Sequence, residues 1–249
     1  MLDRIERSEQ VYARLFGARD PGAHEDDPEL MEMLRGLIFG DVFALGDLDD
    51  ATRELLTIVL LATQQTLPQL RAHTGAALNV GLPPVRVREA IYQCAPFIGF
   101  PKTLNALAVV NEVFRDRGIE LPLPPQATVS PAERYEAGRA QQEPLYGTAM
   151  RDNLADLPGE FAEAVPRLLT EFGFGDLYTR TGLAVATREL LVLGVLVALG
   201  DTPAQLRSHA LGNLRVGTSK ETLVAAIVHA FPYVGFPRAV NALRIVKDL

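Results

Sequence analysis

The chain has 249 residues, 48% of them apolar, and a formal net charge of −7. Such a length buries a substantial core, and the acidic balance argues against a nucleic-acid partner, which needs a basic patch. The single cysteine, Cys94, excludes an internal disulfide and a dithiol redox pair and fits a reducing, cytoplasmic setting.

In chain order, residues 1–20 read as a charged helix, broken at Asp20-Pro21-Gly22. Its first residues lack the apolar stretch of a signal peptide. A second helix follows Asp27-Pro28, a plausible N-cap with proline at the first helical position; Leu30, Met33, Leu34, Leu37 and Ile38 recur at helical spacing. Thr52 is the expected N-cap of the next helix, which puts Glu54 in its first turn. The run from Leu55 to Ala62 is apolar on nearly all sides, as in a buried helix. A helix from Pro68 to about Val80 closes at Gly81. Another spans Pro84 to Ile98, with Pro96 expected to kink its last turn, and a further one runs from Pro101 to about Gly118. Residues 119–131 are proline-rich and aperiodic, a semi-rigid connector.

The elements then recur. Thr52-Arg53-Glu54-Leu55-Leu56 returns as Thr187-Arg188-Glu189-Leu190-Leu191, and Gln69-Leu70-Arg71-x-His73 as Gln205-Leu206-Arg207-x-His209. The Gly-Phe-Pro and Asn-Ala-Leu motifs recur too, and Phe39-Gly40-Asp41 matches Phe174-Gly175-Asp176. The second copy carries one extra residue near Asp201. Helices are expected near Glu133–Arg139 and Pro158–Phe172, and the core helices follow in the same order. The period is that of a duplicated domain, with units 1–118 and 132–249 about the connector 119–131. No alternating strand pattern occurs, so the fold class is all-α. The longest apolar run, Leu190 to Leu199, is far shorter than the ~20 residues that span a bilayer.

Glu54 with His73, and Glu189 with His209, are the candidate catalytic residues. Each pair sits on successive helices joined by a short turn, so antiparallel packing can bring the two side chains to one pocket. A glutamate desolvated by the apolar run has acid/base capacity near neutral pH, and a nearby histidine can partner it or shuttle its proton. Arg53, Arg71, Arg188 and Arg207 are the candidate grips for substrate carboxylates. A blander reading stands beside this one. A glutamate in a first turn offsets the helix dipole, a core histidine is commonly structural, and duplication copies structural residues as well. His24 lies in an acidic stretch. His229 aligns with Gln93, so the repeat does not retain it, and Cys94 aligns with Ala230 as a small buried apolar residue. Histidine and cysteine do not recur at metal-ligand spacing.

RELLTIVLLA, QLRAHTGAALNVG and EAIYQCAPFIGFP resemble the carboxymuconolactone decarboxylase family, which belongs with the AhpD-like alkylhydroperoxidases. The second half carries the likeness at least as well, through FAEAVPRLLTEFGFGDLYTRTGLAVATRELLVLGVLVAL and QLRSHALGNLRVG. The resemblance implies an AhpD-like helical bundle duplicated in tandem. In the peroxidase branch a glutamate and a histidine flank two redox cysteines. Here those cysteine positions hold Thr66 and Gln69 between Glu54 and His73, and Thr202 and Gln205 between Glu189 and His209. A hydroxyl and an amide cannot cycle through a disulfide, which argues against alkylhydroperoxidase activity.

The decarboxylase branch implies a cofactor-free reaction on a small carboxylated lactone from aromatic-acid breakdown. Glutamate would act as general acid/base, histidine as donor to the developing oxyanion, and arginine as orienter. The alternatives are an isomerase or cyclase on another small acid or lactone, and a non-catalytic oligomeric ligand-binding protein. Divergence such as Gln64-Gln65 against Gly200-Asp201 leaves open whether both sites work. Family members form rings, so a fused pair of units is expected to assemble as a homotrimer, without nucleic acid or membrane.

Overall fold

The computed structural model describes residues 3–17 and 26–249. The expectations placed on His24 and on the break at 20–22 lie outside these residues. Among the described residues there is no strand, and no helix is long and apolar enough to cross a membrane.

The first unit contains α1 (Arg4–Phe16), α2 (Pro28–Arg35), α3 (Asp50–Gln64), α4 (Leu67–Asn79), α5 (Pro84–Ile98) and α6 (Phe100–Asp116). A π-helical turn (Gly36–Asp41) and a 3₁₀ turn (Val42–Ala44) lead from α2 towards α3. The second unit repeats the plan with α7 (Arg134–Tyr146), α9 (Phe161–Leu169), a π-helical segment (Thr170–Tyr178), α10 (Val185–Leu199), α11 (Pro203–Arg215), α12 (Lys220–Val234) and α13 (Phe236–Lys247). A short α8 (Ala149–Asp152) is inserted after α7. The all-α bundle duplicated in tandem is therefore what the chain adopts.

The apolar runs form the centre. Leu55, Leu56, Ile58, Val59 and Leu60 on α3 are wholly buried beside Leu191, Val192, Leu193, Val195 and Leu196 on α10, in one core that both units share. Each buried leucine or isoleucine contributes about 1.5–3 kcal/mol of transfer free energy. Gly194 lets the two helices close: a Cβ there would stand 3.2 Å from Leu56 Cδ2.

One local expectation needs correcting. The N-cap of α3 is Asp49, whose carboxylate accepts from Thr52 N at 2.7 Å, and the helix begins at Asp50. Glu54 thus lies in the second turn, past the reach of the dipole argument. Pro96 is accommodated near the end of α5, which runs on to Ile98. The connector is irregular but strapped down. Arg88 donates to the carbonyls of Leu123 and Pro124, and Thr128 to that of Thr179.

The opening helix of each unit is tied to the π-helical turn by an arginine–aspartate pair, Arg4–Asp41 and Arg134–Asp176. In the second unit α7 crosses the π segment through Gly138 and Gly175. A side chain at either position would collide with backbone of the other element. This crossing carries the C-terminal end of α7 to the N-terminal half of α10 and the middle of α11, where the site forms.

Candidate active site

Glu189 on α10 and His209 on α11 meet, with Nδ1 3.0 Å from Oε2. Glu189 is completely buried. The α7 crossing delivers Tyr146, whose hydroxyl donates to Glu189 Oε2 at 2.5 Å and lies 2.7 Å from His209 Nδ1. The π segment delivers Tyr178, which donates to Oε1. Both carboxylate oxygens are therefore occupied. Burial, and next the charge of Glu189, push both phenols well above the ordinary tyrosine range, so they remain protonated donors. Gly212 makes room for this cluster: a Cβ there would stand 2.5 Å from Tyr146 Oη and 2.9 Å from Glu189 Oε2.

His209, Tyr146 and Tyr178 line a cavity of about 590 Å³, whose other walls include Phe174, Leu211, Met150 and Arg215. That volume lies in the range of small-molecule sites. Its far wall comes from the first unit, as Gln93, Pro96 and Phe97 of α5; the Phe97 ring lies edge-on to His209. Glu189 is not among the lining residues, whereas His209 is. With Nδ1 held by Glu189 and Tyr146, Nε2 is the ring nitrogen left for a ligand.

The first unit builds the same pair differently. His73 Nδ1 is 2.9 Å from Glu54 Oε2, and Glu54 is also fully buried. The positions of Tyr146, Tyr178 and Gly212 are held by Phe16, Phe43 and Ala76. Phe16 packs edge-on against His73, and Glu54 Oε1 has no hydrogen-bond partner. The opposite wall comes from the second unit: Tyr233 contacts the His73 ring, and His229 contacts Tyr233. His229 Nε2 lies 3.0 Å from the Arg53 carbonyl and 2.9 Å from Thr57 Oγ1. Burial, then the nearby charge of Arg53, lowers its pKa to about 3. The two glutamate–histidine pairs are thus alike, and their surroundings are not.

The four arginines singled out from sequence lie elsewhere. Arg53 is buried and donates to the carbonyls of Leu48, Phe43 and Leu45. Arg188 is buried and reaches across to Gln93 and Glu89. Arg71 pairs with Glu112 and Asp116 on an exposed face, and Arg207 is exposed. The arginine that lines the cavity is Arg215. Tyr146, Tyr178, Gln93 and Arg215 were not picked out from sequence. The signal for the tyrosines existed, since aligning α1 with α7 and the two Phe-Gly-Asp turns sets Tyr146 against Phe16 and Tyr178 against Phe43. Cys94 is fully buried and its thiol is pushed up by that burial, as a structural residue should be. No group of three or more metal-ligating side chains occurs among the described residues.

Two segments, residues 28–112 and 163–248, match the model of the carboxymuconolactone decarboxylase family. The chain belongs to that family and carries its domain twice. It is 26% identical over 117 residues to 4-carboxymuconolactone decarboxylase of Acinetobacter baylyi, a match covering 47% of this chain and 87% of the relative. It is 31% identical over 85 residues to a nitrosuccinic acid decarboxylase of Metarhizium robertsii, over 34% of this chain and 59% of the relative. A crystal structure from Burkholderia xenovorans, provisionally assigned as a gamma-carboxymuconolactone decarboxylase subunit, superposes with a TM-score of 0.58. That match has 21% identity and covers 99% of this chain and 97% of the other. The fold is shared over the full tandem length.

Proposed function

We propose that the protein is a cofactor-independent decarboxylase of a small carboxylated lactone or related organic acid, and that turnover occurs at the second unit's site. The observation that carries this reading is the Tyr146–Glu189–His209 cluster beside a largely apolar cavity. Loss of carbon dioxide from a conjugated lactone acid breaks one C–C bond. The electron pair passes to the lactone carbonyl oxygen, giving a dienolate, which takes one proton on carbon. An apolar cavity favours the departure of a charged carboxylate as neutral carbon dioxide, and a positioned acid supplies the proton.

On this reading the roles divide. His209 is the acid/base, acting through Nε2. Glu189, buried and with both oxygens bonded, fixes the ring through Nδ1 and balances the imidazolium charge, while Tyr146 and Tyr178 hold Glu189. Arg215 takes a retained carboxylate of the substrate. Glu54 and His73 form a second pair of the same kind, without the phenol hydroxyls. The relatives named as decarboxylases support the reaction class. With threonine and glutamine at the positions of the redox cysteines, thiol peroxidase activity is not proposed. Incubation with 4-carboxymuconolactone should release carbon dioxide without added cofactor; no release would overturn the substrate assignment.

Assembly is proposed on separate grounds. Leu30 and Met33 on α2, and their counterparts Val165 and Leu168 on α9, are exposed apolar residues, as are Phe100 and Phe236. Repeated apolar faces suit a ring of six units, that is, a homotrimer. A solution mass of one 27.1 kDa chain would refute it.

A further inference from the structure

Gln93 belongs to the first unit yet lines the cavity of the second. It is 1% exposed. Its Oε1 accepts from Arg188 Nη1 at 3.0 Å, across the boundary between the units. Arginine offers only donors, so the amide orientation is forced: oxygen towards Arg188, nitrogen away from it. That nitrogen, Nε2, is buried and has no hydrogen-bond partner. A buried amide donor left unpaired carries its full desolvation penalty, and such groups are rare enough to call for an explanation. Arg188 is itself held by Glu89 Oε2 and the Arg180 carbonyl, so the amide is fixed before any ligand arrives.

The corresponding position of the other site is His229. There Nε2 is committed to the Arg53 carbonyl, and the ring nitrogen left unpaired is Nδ1. With Nε2 carrying the proton, Nδ1 is an acceptor. One site therefore receives a donor from the opposite unit and the other receives an acceptor. A site that must stabilise an oxyanion needs the donor.

We propose that Gln93 is a substrate-binding residue supplied in trans by the first unit, donating through Nε2–H to the lactone carbonyl oxygen that gains charge as carbon dioxide leaves. This inference rests on the decarboxylase reading. It gives the duplication a purpose at the site: the acid/base pair comes from the second unit and the oxyanion donor from the first, oriented by Arg188 of the second unit.

The test uses the full chain and the saturated lactone acid (5-oxotetrahydrofuran-2-yl)acetate as probe. The Gln93 side-chain amide is identified in ¹H–¹⁵N spectra by its loss in Gln93→Glu. That variant keeps the oxygen facing Arg188 and removes the donor; Gln93→Met removes both. Binding to the wild type should move the Gln93 amide signal, and affinity should fall by about 10- to 100-fold in Gln93→Glu. Wild-type binding with a stationary amide signal, or with unchanged affinity in both variants, would overturn the inference and leave the decarboxylase reading intact. Weakened binding with a stationary amide signal would mark Gln93 as structural, again overturning it. Failure of the wild type to bind the probe would overturn the lactone-acid reading and the inference with it.

Discussion

Phe16 and Tyr146 end the opening helices of the two units at the same position, and only Tyr146 brings a hydroxyl to the buried glutamate. The neighbouring position is Ala76 in the first unit and Gly212 in the second, so the space of one hydroxyl is exchanged for the space of one methyl. Tyr146→Phe should lower turnover by about 10- to 100-fold and also lower thermal stability, because the buried Glu189 carboxylate loses one of its donors. Steady-state rates and a melting curve check this.

Gly212→Ala should act on the same contact from the other side. The new methyl would meet Tyr146 Oη at 2.5 Å, and either the phenol or α11 must move. Turnover should fall to about the level of Tyr146→Phe, and combining the two changes should cost little more than either alone, because they remove one interaction. Additive losses would contradict this coupling.

Glu89 joins the two units electrostatically. It is fully buried and bidentate to Arg180 at 2.7 and 2.9 Å, with Arg188 at 3.5 Å and Arg88 at 3.4 Å. Its counterpart in the second unit is Ala225. Glu89→Ala leaves these cations uncompensated and should cost about 3–5 kcal/mol. Burial alone would raise the pKa of Glu89, but the Arg180 hydrogen bond and the surrounding guanidinium charges bring it below the ordinary 4.5. Its stabilisation is thus present above that value and lost as pH falls through the lower folded pKa. Denaturant titrations at descending pH check both points.

His229 adds an acid sensitivity at higher pH. Its folded pKa of about 3 lies below the ordinary 6.5, so the unfolded chain binds the proton first. Stability is full above pH 6.5 and declines as pH falls towards 3, by about 2 kcal/mol at about pH 5. His229→Gln, which installs the residue found at position 93, should remove this decline. Stability that stays flat between pH 7 and 5 in the wild type would contradict it.

Much of the fold could be read from the residues. The all-apolar run on α3 fixed a buried helix, the glycines after α4 and α5 fixed their ends, and the internal repeat fixed the doubling. The glutamate–histidine pairing was legible because the two residues lie on consecutive helices joined by a short turn. The N-cap was misplaced because Asp49 and Thr52 are both good caps, and the choice between them depends on the preceding 3₁₀ turn. Arg53 and Arg188 drew attention as charges beside a glutamate, but both are buried, with donors spent on backbone carbonyls, Gln93 and Glu89. Gln93 and Arg215 carry no local motif. They reach the site only through the packing of one unit against the other and the direction of α11, which spacing along the chain does not encode.

Turnover confined to the second unit is tested most directly by the rate of carbon dioxide release from 4-carboxymuconolactone by Glu189→Gln and Glu54→Gln measured side by side. Release should fall by about 10²–10⁴ in Glu189→Gln, where His209 loses its orienting carboxylate, and stay near the wild-type rate in Glu54→Gln. Equal losses in the two variants, or a loss confined to Glu54→Gln, would contradict it.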